Sequence, residues 1–273
     1  GTSESQYFHL FGDPAMKIPI PKDTLIINNI NPDTLKTLQI GTASMSQSII
    51  QGNGNGFIIL TDANREVNRE YEISSETHSI SYKLPGSTLF RGLFSFSGQT
   101  FNTNLRIPKD IAYSSLPAKI AVYIHDEEQE ALGFIENIII VGGDETSDIL
   151  GPKITFETIL GKELSEGDHF YLNENINIKL SDPLGINITN ETGHEINILD
   201  SENDVTINAT NEFFYDLNSI TDGLINYDPG LNKNIDITVK AWDNANNPSE
   251  RRITLTGIES GQLKILNIYN YPN

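Results

Sequence analysis

The sequence predicts an all-β protein in which two β-sandwiches follow one another. In residues 235–242, Ile, Ile, Val and Ala occupy every second position, and period two with β-branched residues is typical of a strand with one buried face. The Asp- and Asn-rich run 243–247 indicates a tight turn, and residues 251–256 start a return strand. Abundant Asn, Ile, Thr and Ser also favour β structure with polar loops. Such a hairpin, closing about a hundred residues built the same way, is typical of an immunoglobulin-like sandwich.

We expect the first sandwich over residues 23–143, because about seven strands with turns at sandwich spacing fall there. Strands are predicted at residues 37–45, 57–61, 78–84, 101–107, 119–124 and 134–141. The glycine-rich run 52–56 is predicted to be a flexible hairpin loop, and the acidic run 126–130 joins the last two strands. In residues 78–84, Ile80, Tyr82 and Leu84 share one face.

The second sandwich is predicted over residues 151–257, after a polar and acidic linker at 144–150. Its first strand opens at residues 151–154, and a further strand covers 175–180. Helix signals are weak throughout the chain; a short turn is predicted near residues 32–35.

The charge and composition exclude several classes of protein. Eighteen basic and 37 acidic residues give a net charge of −19, which repels phosphate backbones and makes nucleic acid a poor partner. The chain contains no cysteine, so it has no disulfide, thiolate metal site or cysteine nucleophile. No apolar run approaches the roughly 20 residues of a transmembrane helix, and no signal peptide is visible at Gly1.

No motif in the chain carries catalytic chemistry. The five histidines are scattered, and neither His-Glu-x-x-His nor Gly-x-Ser-x-Gly occurs. His125 and His194 each precede a carboxylate, but neighbours in a strand point to opposite faces, so both are interpreted as surface or turn residues. We therefore assign no catalytic, cofactor-binding or metal-binding residue.

Calcium is the one cofactor that stays open as an alternative. Residues 200–204 place oxygen side chains at loop positions 1, 3 and 5, but Val205 stands where an EF-hand needs Gly and Asn211 where it needs Glu. A looser oxygen cage of Asp144, Glu145 and Asp148 is the alternative to a solvated acidic linker.

The single tryptophan, Trp242, has two interpretations. A buried tryptophan stabilises a domain by several kcal/mol, on the order of 25 cal/mol per Å², which favours core or inter-domain packing over a sugar-stacking platform. The three glycosylation sequons, at Asn187, Asn190 and Asn208, are expected by chance in a chain so rich in Asn.

Several phrases resemble the gingipain-type, PorU-like cysteine peptidases of type IX secretion systems. Residues 9–16 (HLFGDPAM) are similar to the phrase that closes their peptidase domain. Residues 89–101 and the Pro-Lys-Asp-Ile phrase in 106–113 resemble the region that follows it. Residues 182–196 resemble a later phrase, although Pro183 and Leu184 depart from its usual pair, and the tail 262–273 is similar to the opening of a sorting-type domain.

The resemblance implies a non-catalytic region that follows the peptidase domain of a protein at the bacterial cell surface. Residues 1–22 would be the C-terminal end of that domain with a linker, and residues 258–273 the start of a C-terminal sorting-type domain, so we expect an excised piece of a longer chain. The parent would cleave peptide bonds with a Cys–His pair located upstream. These sandwiches would brace and space the peptidase domain.

The partners implied are the parent's own peptidase and sorting-type domains and outer-membrane proteins of the secretion system. A different class of function is the alternative: an adhesion or carbohydrate-binding module, which aromatic clusters on one sheet face would favour. A self-contained hydrolase is the third and weakest hypothesis, because no catalytic constellation is present.

Overall fold

The structure is a computed structural model, and it describes residues 20–172, 174–230 and 234–259. The predicted end of a peptidase domain, including the phrase at 9–16, and the sorting-type tail at 262–273 lie outside these residues. The described chain is all-β and its elements are strands apart from one short 3₁₀ turn.

The first half of the chain, residues 20–143, contributes the strands of one β-rich unit. They are β1 (Asp23–Thr24), β2 (Ile26–Asn31), β3 (Thr34–Lys36), β4 (Ile40–Ser46), β5 (Asn53–Thr61), β6 (Arg65–Ile73), β7 (Glu76–Leu84), β8 (Thr88–Ser97), β9 (Thr100–Arg106), β10 (Ala118–His125) and β11 (Glu130–Val141).

The second half, residues 151–259, follows a strand-free connector at 144–150. Its strands are β12 (Lys153–Thr158), β13 (Glu163–Leu164), β14 (His169–Tyr171), β15 (Ile176–Ser181), β16 (Asn197–Asp200), β17 (Val205–Asn208), β18 (Phe214–Tyr215), β19 (Asp222–Tyr227), β20 (Asn234–Trp242) and β21 (Pro248–Ile258), with the 3₁₀ turn at Thr210–Glu212.

One large sheet runs through both halves. Its order is β1-β11-β10-β5-β8-β18-β19-β15-β12-β13, with β3 also paired to β11. A three-stranded sheet, β2-β4-β9, lies in the first half and a five-stranded sheet, β14-β21-β20-β16-β17, in the second, while β6 and β7 form a separate ribbon. The buried apolar side chains of both halves belong to one connected core. No helix of the described residues is long and apolar enough to cross a membrane.

The hairpin that the alternating pattern predicted is β20–β21. Ile235, Ile237, Val239 and Ala241 are all buried, and the two strands pair in antiparallel register from Asn234–Thr256 to Trp242–Pro248. The prediction of strands around 119–124 and 134–141, joined by the acidic loop, is likewise confirmed by β10 and β11.

The glycine-rich run was wrongly predicted to be a loop, because all of it after Gly52 lies inside strand β5. Gly54 and Gly56 are buried beneath aromatic rings of β8. A Cβ on Gly54 would collide with the Phe96 ring, and one on Gly56 would lie 2.5 Å from the Tyr123 carbonyl oxygen. The glycines are therefore required by close packing within the sheet, not by a turn.

The predicted strand 37–45 is also interrupted. Leu38 has a φ of 65°, which is incompatible with a continuous strand, so β3 ends before it and β4 starts at Ile40. The short turn predicted near 32–35 corresponds to a bend at 32–33 that follows a cis Asn31–Pro32 bond and leads into β3.

Candidate functional site at the junction of the two halves

The large sheet crosses from one half to the other at a single pair of residues. Tyr215 on β18 pairs in parallel with Gly92 on β8, and its ring stacks on Phe90 at 4.7 Å between centroids. Gly92 is required here, because a Cβ would lie 2.7 Å from the Phe90 ring.

Arg91, next to this bridge, binds the second half through its guanidinium. Its Nε donates to the Phe213 carbonyl at 3.1 Å, its Nη2 donates to the Thr210 carbonyl at 3.0 Å, and the group lies 4.6 Å from the Phe214 ring centroid. Burial lowers the pKa of Arg91, an effect that Glu212 opposes. Arg91 therefore holds the two halves together through these three contacts, which we call the Arg91 clamp.

The Tyr215 hydroxyl forms hydrogen bonds with the backbone of a buried segment in the second half. It accepts a hydrogen bond from the Ile186 amide at 2.6 Å and donates to the Ile186 carbonyl at 2.9 Å. Because the ring is fully buried, burial strongly raises the pKa of Tyr215. The tyrosine stays neutral and fixes the loop that follows β15.

Asp110, in the loop after β9, is the central polar contact of the junction. Its Oδ2 accepts hydrogen bonds from His194 Nδ1 at 2.5 Å and Asn187 Nδ2 at 2.8 Å, and its Oδ1 accepts one from Asn246 Nδ2 at 2.7 Å. All three donors belong to the second half. The backbone of Lys109 adds a hydrogen bond to the Asn244 carbonyl at 2.8 Å.

The electrostatics of Asp110 favour its charged form. Burial acts to raise its pKa, but the hydrogen bonds from Asn246, His194 and Asn187 outweigh burial, so the pKa is lowered. A carboxylate that accepts several hydrogen bonds is stabilised as an anion. Asp110 is therefore an ionised hub that joins the two halves.

Trp242 packs at the same junction. Its ring lies 4.6 Å from the His194 ring, and Lys240 Nζ lies 5.0 Å from its centroid. Trp242 is half-buried, and its Nε1 is buried without a hydrogen-bond partner among the described residues. This position agrees with the packing role predicted for Trp242 and places the ring against His194 instead of on an open platform.

Three carboxylates meet near the connector: Asp148, Asp182 and Asp243. One oxygen of each lies within 4.8 Å of the others. Asp148 is half-buried and the other two are buried. The Asp243 oxygens accept hydrogen bonds from the Ala245 and Asn247 amides, which form the turn after β20.

Proximity and burial make these carboxylates hard to ionise together. Burial raises the pKa of Asp182 to about 6, with the charge of Asp243 adding to the effect. Burial also raises the pKa of Asp243, and Asp148 contributes. Arg106, whose own pKa is lowered by burial, supplies a nearby positive charge for Asp182.

The donor set of this carboxylate trio fits a hard divalent cation, because calcium binds carboxylate and backbone oxygens. The sequence placed the alternative calcium cage at Asp144, Glu145 and Asp148. The structure brings only Asp148 into the trio; Asp144 and Glu145 are exposed and line a neighbouring cleft of about 500 Å³ with Asp148. Calcium binding stays a prediction.

The other residues weighed in the sequence have local structural roles. The Asp200 carboxylate accepts hydrogen bonds from the Glu202 and Asn203 amides in the β16–β17 turn. His125 is exposed at the end of β10, and the Asp126 carboxylate accepts hydrogen bonds from two amides of the acidic loop.

The sequon residues are also engaged in contacts. Asn187 is buried and hydrogen-bonded to Asp110, and Asn208 donates to Asn190. Asp110, Asn187 and His194 were each singled out in the sequence, but their contact with one another was not predicted. Asp110 and His194 are separated by 84 positions, and no local pattern indicates such a pair.

The fold defines this chain as an all-β protein of the β-sandwich type. Comparison of the sequence with known protein families and with curated proteins finds no match. Among solved structures, the chain is similar in fold to dimeric latent PorU from Porphyromonas gingivalis, with 22% identity and a TM-score of 0.50 over 92% of this chain and 25% of that chain. It thus spans a quarter of the length of that protein.

Two further structures align with most of the chain. They are murine CEACAM1b, with 8% identity and a TM-score of 0.22 over 86% of this chain and 100% of that one, and Spo0M, a sporulation control protein from Bacillus subtilis, with 9% identity and a TM-score of 0.24 over 86% and 91%. These scores are too low to support any inference.

Proposed function

We propose that this chain is a non-catalytic β-sandwich region of a PorU-related, gingipain-type cysteine peptidase, and that it braces and spaces the peptidase domain. The observation that carries the proposal is the fold similarity to latent PorU over 92% of the chain. The absence of cysteine from the sequence supports a non-catalytic role, since a peptidase of this type needs a thiolate nucleophile.

The sequence resemblance and the junction support each other. The phrase Pro108-Lys109-Asp110, one of the most specific pieces of the resemblance, contributes both the Asp110 hub and the Lys109 backbone contact with Asn244. A motif that holds the two halves of the chain together is suited to a spacer.

Rigidity is the physical requirement of a brace. A flexible linker between two domains leaves their relative position free, whereas this junction combines a continuous sheet, the Arg91 clamp and the Asp110 hub. The two halves would therefore act as a rigid strut that fixes the position of one end of the chain relative to the other.

In this proposal the partners and location follow from the parent protein. The chain would contact its own peptidase and sorting-type domains and outer-membrane proteins of a type IX secretion system, at the bacterial surface or outside the cell. The high negative charge of the chain suits this role, because it keeps a secreted protein soluble. A structural calcium ion at the carboxylate trio would add stiffness to the connector.

A specific observation favours a second candidate, a carbohydrate-binding or adhesion module. On the outer face of β5, β10 and β11, Phe57 and Tyr123 lie 5.5 Å apart, and Phe134 is 70% exposed. Aromatic rings on one flat sheet face can stack on sugar rings. A glycan array with the purified chain tests this; a glycan whose binding is lost in Phe134→Ala would favour the module over the brace.

Two measurements test the main proposal. The gene sequence preceding Gly1 should encode an α/β pattern with a His and a Cys; a different upstream domain would contradict the assignment. The purified chain should not cleave casein or short peptides, and turnover that survives further purification would show catalytic machinery in the chain itself.

A further inference from the structure

Strands β6 and β7 form a two-stranded ribbon outside the other sheets. The nine residues of β6 pair with the nine of β7, from Arg65–Leu84 at the base to Ile73–Glu76 at the tip. At about 3.4 Å per residue the ribbon is roughly 30 Å long. It therefore presents two extended faces.

The two faces differ in hydrophobicity. Directly paired residues share a face, and one face carries six apolar or aromatic residues: Val67, Tyr71, Ile73, Ile80, Tyr82 and Leu84. We call it the ribbon's apolar face. The opposite face, which we call the ribbon's polar face, carries Glu66, Asn68, Glu70, Glu72, Thr77, Ser79, Ser81 and Lys83.

Charge is also divided between the two faces. The apolar face carries Arg65, Arg69 and His78 with a single carboxylate, Glu76, which lies 4.0 Å from His78 Nε2. The polar face carries three glutamates and one lysine. The whole chain has 37 acidic and 18 basic residues, so the apolar face reverses the balance of the protein.

The apolar face is open to solvent. Tyr71 is 46% exposed, Ile73 55% and Ile80 50%. An isolated two-stranded ribbon is at best marginally stable in water, and a contiguous exposed apolar patch marks an interaction site. The amphipathic pattern thus indicates a face that is covered when the protein works.

We propose that the ribbon's apolar face binds an anionic lipid surface, with the ribbon lying at the level of the headgroups. Charge complementarity favours this occupant, because Arg65 and Arg69 meet the lipid phosphates while the apolar side chains enter the boundary beneath them. Arginine can lay its stem along apolar surface and keep its guanidinium in water. Tyr71 and Tyr82 suit the same boundary, since tyrosine combines an apolar ring with a hydroxyl that stays wet.

The backbone of the ribbon limits how deeply it enters the lipid. The outer edges of β6 and β7 pair with no other described strand, and unpaired backbone groups are costly in hydrocarbon. The ribbon therefore stays in the hydrated headgroup region, with the glutamates of its polar face turned to water. A lipid surface also adapts to the shape of the ribbon, whereas a protein partner needs matching pockets for its anchoring side chains.

The charge of the whole chain keeps this contact weak. The net charge of −19 opposes approach to an anionic surface, although physiological salt screens charges beyond about 8 Å. Each arginine near such a surface strengthens binding about fivefold. The contact is therefore reversible, and it weakens as salt is added.

Co-sedimentation with vesicles at low salt tests the proposal. The wild-type chain should bind vesicles of phosphatidylethanolamine and phosphatidylglycerol about tenfold or more tightly than vesicles of phosphatidylcholine. Ile80→Asn should weaken binding about fivefold or more, and Ser79→Asn, its control on the polar face, should leave it unchanged. Arg69→Gln should weaken binding about fivefold, and Arg69→Lys should retain it. A wild-type chain that leaves the anionic vesicles unbound, or an Ile80→Asn variant that binds as tightly as wild type, would overturn the proposal.

Tryptophan reporters locate the contact independently of any loss of folding. Tyr71→Trp places an indole on the apolar face and Ser79→Trp places one on the polar face, while Trp242 contributes equally to both variants. On anionic vesicles the emission of Tyr71→Trp should move to shorter wavelength and be quenched by brominated lipid, and that of Ser79→Trp should not. Equal melting temperatures would show that all variants fold.

Two outcomes of these measurements would contradict the lipid contact. An equal response of the two reporters would mean that another surface of the chain meets the vesicle. Binding of a polyglutamate peptide without binding of vesicles would assign the apolar face to an acidic protein instead.

Discussion

His194 of the second half donates a hydrogen bond from Nδ1 to Asp110 Oδ2 of the first half at 2.5 Å. The aspartate also binds Asn187 and Asn246, so one carboxylate of the first half orders two loops of the second. The contact thus joins residues that are far apart in the chain and belong to different halves.

Asp110→Ala should lower the free energy of unfolding by about 2–4 kcal/mol, since it leaves three donors of the second half without their acceptor in a mostly buried site. Urea unfolding monitored by Trp242 fluorescence measures the change. Glu128→Ala, in the exposed acidic loop, is the matched control and should change stability by less than about 0.5 kcal/mol. If Asp110→Ala and Glu128→Ala are equally stable, Asp110 does not hold the two halves together.

Asp182→Asn should change the pH dependence of stability. The pKa of Asp182 is about 6 in the folded protein, against an ordinary aspartate value of 3.8, so the folded state holds the proton more tightly than the unfolded chain. The stabilisation is complete below pH 3.8 and is lost as pH rises through 6. As the pH rises from 5 to 8, the free energy of unfolding of the variant should therefore increase by about 1–3 kcal/mol relative to that of wild type.

Unfolding at both pH values in the presence of a chelator measures this difference. Asp33→Asn, at an exposed position, is the control. If the difference in free energy of unfolding between wild type and Asp182→Asn does not change with pH, Asp182 ionises as freely in the folded chain as in the unfolded one.

Calcium should raise the melting temperature by several degrees at pH 8, because a cation at Asp148, Asp182 and Asp243 relieves their mutual repulsion. The increase should be absent in Asp243→Asn. Differential scanning fluorimetry with calcium or with a chelator makes the comparison. An unchanged midpoint in the wild-type chain would exclude a structural calcium site.

Gly56→Ala should destabilise the chain by about 2–4 kcal/mol, because its Cβ would meet the Tyr123 carbonyl at 2.5 Å and backbone cannot move aside cheaply. Gly52→Ala is the matched control in the same glycine-rich run, since a Cβ there meets nothing within 4 Å. Thermal unfolding of both variants suffices, and equal melting temperatures would contradict the close packing of β5.

The sequence predicted the fold class and many strands, because apolar and polar residues alternate along a strand that buries one face. It placed the β20–β21 hairpin correctly, from the apolar residues at Ile235, Ile237 and Val239. It failed at Gly54 and Gly56, where glycine's usual preference for turns is overridden by the aromatic rings of Phe94 and Phe96. That requirement depends on the register of β5 against β8, which no local pattern encodes.

The junction was harder to predict than the strands. Asp148 was singled out in the sequence, but its partners Asp182 and Asp243 are distant in the chain, and the neighbours proposed for it, Asp144 and Glu145, face solvent. Trp242 was expected to pack against other parts of the protein, and it does so against His194. Long-range polar contacts follow from topology, so only the three-dimensional arrangement identifies them.

The most direct test of the rigid strut is a distance measurement between its two halves. Because the chain has no cysteine, Glu128→Cys and Glu202→Cys can be spin-labelled specifically and their separation measured by pulsed electron resonance. A rigid junction predicts one narrow distance distribution, which should broaden when Asp110→Ala is added. A broad distribution in the chain with an intact Asp110 would contradict the account, because it would mean that the two halves move independently.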